Sequence, residues 1–197
     1  MLRSILLASL ALIAGPAFAV TAGTAAPDFA VADSNGKTVK LSDYKGRFVV
    51  LEWTNPECPF VRAQYGADAM QALQKEAGAK EVVWLTVNST SKSSDEYRTG
   101  AQMNAWMKEK GAAQKAILID ATSDAARAYD AKTTPHMFVI DPAGRIVYAG
   151  AIDDKRSARE SDRKIANNYV RAALGETLAG KPVTVASTTP YGCSVKY

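Results

Sequence analysis

Arg47-Phe-Val-Val-Leu-Glu-Trp53, then Thr54-Asn55-Pro56-Glu57, then Cys58-Pro59-Phe60-Val61 is the stretch on which the fold turns. The first seven residues are mostly apolar and rich in Val, Phe and Trp, which reads as a largely buried strand. A Pro-containing turn follows. From Pro59 to about Ala77 the pattern becomes helical: Tyr65, Ala69, Met70, Leu73 and Ala77 share one side, while Gln64, Asp68, Gln71, Gln74 and Lys75 share the other. Gly78 is expected to end that helix.

Downstream the same alternation repeats. Val82 to Val87 is a second strand. The next helix is expected to open on a capping box, Ser93-x-x-Glu96, to carry Met103, Trp106 and Met107 on one face, and to stop at Gly111. Lys115 to Asp120 is a third strand, and Ser123 is expected to cap a short helix reaching about Asp130. His136–Ile140 and Ile146–Gly150 flank Asp141-Pro-Ala-Gly144, a turn sequence, and so form a hairpin. Ile165, Tyr169, Ala172 and Ala173 mark a last helix that Gly175 is expected to end. Strands separated by helices require crossovers and hence a parallel core, to which the hairpin adds an antiparallel edge. The expected fold class is α/β: a central mixed β-sheet flanked by helices on both faces, closed by a C-terminal tail over residues 181–197 that carries the second cysteine. The basic stretch from Lys155 to Lys164 is diluted by Glu160 and Asp162 and reads as a solvated helix start.

Upstream, Met1-Leu2-Arg3, the apolar run Ile5 to Ile13, the breakers Gly15-Pro16 and the small residues of Ala17-Phe18-Ala19 have the layout of a signal peptide. Cleavage is expected after Ala19, leaving residues 20–197 as one domain. No apolar run approaches the roughly 18 residues a bilayer span needs, so the mature chain is expected to be soluble. The expected destination is secreted, in a bacterial setting periplasmic, where cysteines are free to pair.

The composition fits an ordinary globular domain, with 47% hydrophobic and 22% charged residues. A formal charge of +4, from 24 basic and 20 acidic side chains, is too mild and too evenly spread to argue for nucleic acid. No P-loop, GxGxxG, HExxH or CxxC string occurs, and the single His136 cannot build a multi-histidine metal site. Neither a cofactor nor a metal is expected. Trp53 and Trp84 lie in strands and read as core, and the glycosylation sequon Asn88-Ser-Thr90 reads as a chance match.

What remains is the pair of cysteines. Cys58 lies at a strand–helix junction, with Pro59 at the first helical position, so Cys58 is the expected N-cap. The free N–H groups and the positive end of a helix favour thiolate over thiol. Arg62, one turn along, adds to this, and Glu57 opposes it. A structural disulfide between Cys58 and Cys193 is an equally open reading, since loop closure over so long a span is worth about 5 kcal/mol in the chain-entropy model.

The element order, the cysteine at the start of the first long helix and Thr134-Pro135 just before a strand resemble a thioredoxin-like fold. Within it, the Cys-Pro-Phe-Val motif of Cys58–Val61 and the Gly-Cys-x-Val-Lys motif of Gly192–Lys196 resemble secreted redoxin-domain proteins of the alkyl hydroperoxide reductase/thiol-specific antioxidant type. The resemblance covers nearly all of the mature chain. It implies that the bond before Pro135 is cis and that Pro135 faces Cys58, with Pro59, Arg62 and Thr134 shaping the site.

Two departures matter. Val61 stands where a thioredoxin Cys-x-x-Cys motif has its second cysteine, which leaves Cys193 as the resolving partner inside the chain. Leu51 and Asn55 stand where the peroxiredoxin motif has Pro and Thr or Ser, and Pro135 stands at about the point where that family has its arginine. Thr54, Asn55, Arg62 or backbone N–H groups would have to substitute as donors to a peroxide, which favours thiol–disulfide exchange. His136, next to Pro135 at a strand start, reads first as structural, with a base for Cys58 as the lesser reading.

The leading expectation is a thiol redox protein in which Cys58 reacts and Cys193 resolves, served by an external thiol reductase and an oxidised thiol or peroxide substrate. The alternatives are a thiol peroxidase using the same pair and a non-catalytic module with a structural bridge.

Overall fold

The structure, a computed structural model, describes residues 20–197, so the expected signal peptide of residues 1–19 lies outside the described residues. In chain order the elements are β1 (Ala30–Ala32), β2 (Thr38–Lys40), a 3-10 turn at Leu41–Tyr44, β3 (Val49–Trp53), α1 (Pro59–Gly66), α2 (Ala69–Gly78), β4 (Val83–Asn88) and α3 (Gly100–Glu109). There follow β5 (Ala116–Ile119), α4 (Asp124–Ala128), β6 (Thr133–Thr134), β7 (His136–Ile140), β8 (Ile146–Gly150), a 3-10 segment at Glu160–Ile165, α5 (Tyr169–Leu178) and β9 (Cys193–Ser194).

The central sheet has the order β5-β4-β3-β7-β8. β3, β4 and β5 run parallel, whereas β7 is antiparallel to both β3 and β8. This is the expected mixed sheet with its hairpin at one edge. β3 lies in the middle, and all five of its residues are buried. Alternation along the strands divides the core in two. Val50, Trp84, Met137, Val139 and Tyr148 pack with α1, α2, α3 and α5 on one face. Leu51, Trp53, Leu85, Phe138 and Ile140 pack with α4 and the β1–β2 hairpin on the other. Among the described residues no helix is long and apolar enough to cross a membrane.

Several local expectations are corrected. The helix expected over Pro59–Ala77 is two helices, because Asp68 takes a left-handed conformation (φ 56°) between α1 and α2. Gly78 belongs to α2, and Gly175 lies inside α5. The glutamines placed on the side opposite the apolar residues are buried: Gln64 and Gln74 reach buried carboxylates, and the Gln71 amide donates to the Tyr65 and Lys110 carbonyls at 2.8 and 2.7 Å. Those carbonyls lie at helix ends, where no intrahelical partner exists.

The capping box of α3 is Thr99 with Gln102 rather than Ser93 with Glu96. Ser123 occupies the N-cap of α4 without capping it; the Asp120 carboxylate accepts from the Ala125 and Ala126 N–H groups instead. In the basic stretch read as solvated, Arg163 is buried and paired with Asp153 at 2.7 Å. Asn88, Ser89 and Thr90 of the sequon are buried as well.

Candidate active site

Cys58 is the N-cap residue of α1 with Pro59 at the first helical position, and its C=O accepts the first helical bond from Arg62 N–H at 2.9 Å. The Asn55 side chain accepts from Glu57 N–H (2.9 Å) and its C=O from Cys58 N–H (3.0 Å), which folds the chain from β3 into the helix. The Cys58 side chain makes no cap bond. Its thiol instead donates to the Thr134 carbonyl at 3.0 Å, and Cys58 is only 1% exposed. The Thr134–Pro135 bond is cis.

Thr134 is also the residue that meets the tail. β6 pairs antiparallel with β9 so that Thr134 lies opposite Cys193. Both cysteines are thiols, Cys58 buried and Cys193 partly exposed. Burial first, then the hydrogen bond and the charge of the neighbouring Cys58 sulfur, push the Cys193 thiol up to about 12. The tail therefore carries Cys193 to the start of α1, although Cys58 and Cys193 are far apart in sequence.

The tail is pinned along its length. Thr188 N–H donates to Ala149 C=O (3.1 Å), Val195 N–H to Lys132 C=O (3.1 Å), Ser91 N–H to Lys196 C=O (2.7 Å) and Tyr197 O–H to Ala131 C=O (2.6 Å). Gly192 (φ 135°) makes the close approach possible, since a Cβ there would lie 1.9 Å from the Thr134 carbonyl oxygen.

The charged rim differs from expectation. Arg62 does not address the sulfur: its Nε donates to Pro56 C=O (2.7 Å) and its guanidinium pairs with Glu57 (2.5 Å), which Arg98 also engages. Asn55 is occupied at both ends, its amide donating to Glu96 at 2.5 Å. Thr54 is buried with no partner for its hydroxyl. His136 is no base for Cys58. It stacks on Phe138 in the opposite core, its Nδ1 accepts from Lys132 N–H (3.2 Å), and burial lowers its pKa to about 4.

Two buried polar groups beside the site escape a reading of the sequence. Glu52 in β3 accepts from Tyr65 O–H (2.9 Å), Trp84 Nε1–H (2.8 Å), Thr86 O–H (3.1 Å) and Gln74 (3.2 Å), and burial raises its pKa to about 7. A carboxylate in the middle of an apolar strand is its sequence signal. The other group is Asp153 with Gln64, Arg163 and Tyr191, for which sequence offers none, because its members are far apart in the chain.

Known proteins resemble this chain in sequence and in fold. The model of the AhpC/TSA family matches residues 22–149. The thiol-disulfide oxidoreductase ResA of Bacillus subtilis (strain 168) is 27% identical over 128 residues, which are 65% of this chain and 66% of that protein, just under two thirds of its length. The crystal structure of an uncharacterized conserved protein from Geobacillus kaustophilus superposes with a TM-score of 0.78 at 29% identity, covering 90% of this chain and 93% of that one. A putative thiol:disulfide interchange protein DsbE from Chlorobium tepidum gives a TM-score of 0.54 at 26% identity, over 66% of this chain and 84% of its own. The architecture is the thioredoxin-like one that the resemblance implied.

Proposed function

Because the chain belongs to the AhpC/TSA family, we propose that it is a thiol–disulfide oxidoreductase whose redox couple is Cys58 with Cys193. The observation that carries this reading is the pairing of Thr134 with Cys193 at the carbonyl that accepts from the Cys58 thiol. In the cycle, the Cys58 thiolate attacks one sulfur of a substrate disulfide, forming a mixed disulfide and releasing the other substrate sulfur as a thiolate. Cys193, as thiolate, then attacks Cys58 Sγ, closes a Cys58–Cys193 bridge and expels the second substrate thiolate. An external dithiol reduces the bridge and is itself oxidised to a disulfide.

The order of events has a physical basis. While Cys58 is free, its sulfur helps to hold the Cys193 thiol up. Once Cys58 Sγ is bonded to substrate its charge is gone, that part of the rise disappears, and Cys193 gains nucleophilic character. Thr134 and Pro135 shape the site from the β6 side and Pro59 from the helix side, while Arg62 engages the Pro56 carbonyl and Glu57. The names of the Bacillus and Chlorobium proteins support exchange with disulfides. Peroxide as the oxidant is less well supported, since Asn55 and Arg62 are engaged elsewhere. We place the protein in an oxidising extracytoplasmic space on the strength of its N-terminal leader.

Reduction of a disulfide-bonded protein substrate by a dithiol, followed with and without this protein, tests the reading. Cys58→Ser is expected to abolish the acceleration. Cys193→Ser is expected to stop turnover while leaving a Cys58-linked mixed disulfide that mass spectrometry detects. Full activity of Cys58→Ser would overturn the reading, and rapid consumption of peroxide without disulfide exchange would replace it with a peroxidase.

A further inference from the structure

The carboxylate of Asp153 is enclosed by partners. Its Oδ1 accepts from Tyr191 O–H (2.5 Å) and Lys155 N–H (2.9 Å), and its Oδ2 accepts from Gln64 Nε2–H and Arg163 Nη1–H, both at 2.7 Å. Arg163 also donates to Tyr191 Oη (2.9 Å) and to the carbonyls of Lys155 and Ser157 (2.9 and 3.1 Å). A buried ion pair of this kind is not stabilising by default, because desolvation offsets its attraction. Its connectivity gives it a use. Gln64 stands on α1, the helix that Cys58 begins, and Tyr191 stands two residues before Cys193. One carboxylate thus ties both cysteine-bearing segments, and the rings of Phe60 and Tyr191 meet edge to face at 5.8 Å.

We propose that Asp153, Arg163 and Tyr191 form a latch that holds the Cys193 segment on Cys58, so that its opening governs how often the Cys58 sulfur is uncovered. The proposal rests on reading Cys58 as the reactive thiol. Beyond the β6–β9 pairing at Cys193 itself, the nearest anchors, at Val195, Lys196 and Tyr197, lie on its C-terminal side. On the N-terminal side, between Thr188 and Cys193, the Tyr191 hydroxyl is the deepest attachment. The three residues are positioning residues: none touches the sulfurs, and they act through the tail and α1.

The test uses Cys193→Ser, in which Cys58 is the sole thiol, and measures its alkylation by N-ethylmaleimide with and without Tyr191→Phe. Removing the two charge-assisted hydrogen bonds of the Tyr191 hydroxyl is expected to raise the rate about tenfold or more by shifting the open fraction. The rates of the two urea-unfolded proteins are expected to be equal. In the two-cysteine protein, closure of the bridge from a Cys58–glutathione mixed disulfide is expected to slow in Tyr191→Phe. A merely structural Tyr191 would lower the unfolding temperature and leave the alkylation rate of the folded protein unmoved, and that result overturns the latch. Formation of the Cys58–Cys193 bridge in the wild type, with alkylation unchanged in Tyr191→Phe, refutes the latch alone. Failure of the wild type to form any bridge in a glutathione buffer refutes the reading of the pair and the latch together.

Discussion

Glu52 lies six residues before Cys58, fully buried among Tyr65, Gln74, Trp84 and Thr86, and burial raises its pKa from 4.5 to about 7. The folded state therefore holds a proton that the unfolded chain releases over this interval. The resulting stability is fully present below pH 4.5 and is lost as pH rises through 7. A shift of this size corresponds to something on the order of 3 kcal/mol. Glu52→Gln is expected to remove this contribution from the pH dependence, whatever constant change in stability it brings, as read by urea unfolding of both proteins at a series of pH values. An unchanged slope would mean that Glu52 ionises alike in both states.

The segment containing β9 is held by its backbone as well as by the Tyr191 side chain. With a Cβ placed 1.9 Å from the Thr134 oxygen and φ at 135°, position 192 accepts only glycine without displacement. Gly192→Ala is expected to lift β9 from β6 and to slow closure of the Cys58–Cys193 bridge about tenfold or more, in line with the 1–3 kcal/mol that such backbone strain costs. Quenched mass spectrometry after an oxidising pulse reads that rate, and closure at the wild-type rate would show that the β6–β9 pairing does not position Cys193.

Elements also show what was legible in the sequence. β3, β4 and the β7–β8 hairpin follow from apolar runs and a turn tetrapeptide, which are local signals. Cys58 at a helix start was equally legible, because Pro59 marks the first helical position. The division of the first helix at Asp68 was not, since a left-handed residue other than glycine leaves little trace in periodicity. The buried glutamines were misread for a related reason. Their amides are carried inward by Glu52, Asp153 and helix-end carbonyls that only the assembled fold brings near.

At the scale of the whole molecule, two buried groups oppose one another. His136 is held neutral by burial, with its pKa lowered from 6.5 to about 4, so its contribution is present above 6.5 and lost as pH falls through 4. Glu52 gains over much of the same range in which His136 loses. The two contributions largely cancel between about pH 4.5 and 6.5. His136→Asn is expected to unmask the Glu52 term, giving a protein that becomes more stable as pH falls through this window, as followed by thermal unfolding. Loss of stability on acidification in that variant would contradict the assignment.

The two cysteines, far apart in sequence and adjacent in space, are the other whole-molecule feature. The mixed sheet, the turn into α1 and the anchored tail together bring Cys193 opposite Thr134, beside Cys58. A redox titration in glutathione buffers, read by non-reducing mass spectrometry, tests most directly whether this pair cycles. A Cys58–Cys193 bridge that opens within the glutathione range is expected. A bridge that stays closed below about −300 mV, where structural disulfides lie, or the absence of any bridge, would contradict that expectation.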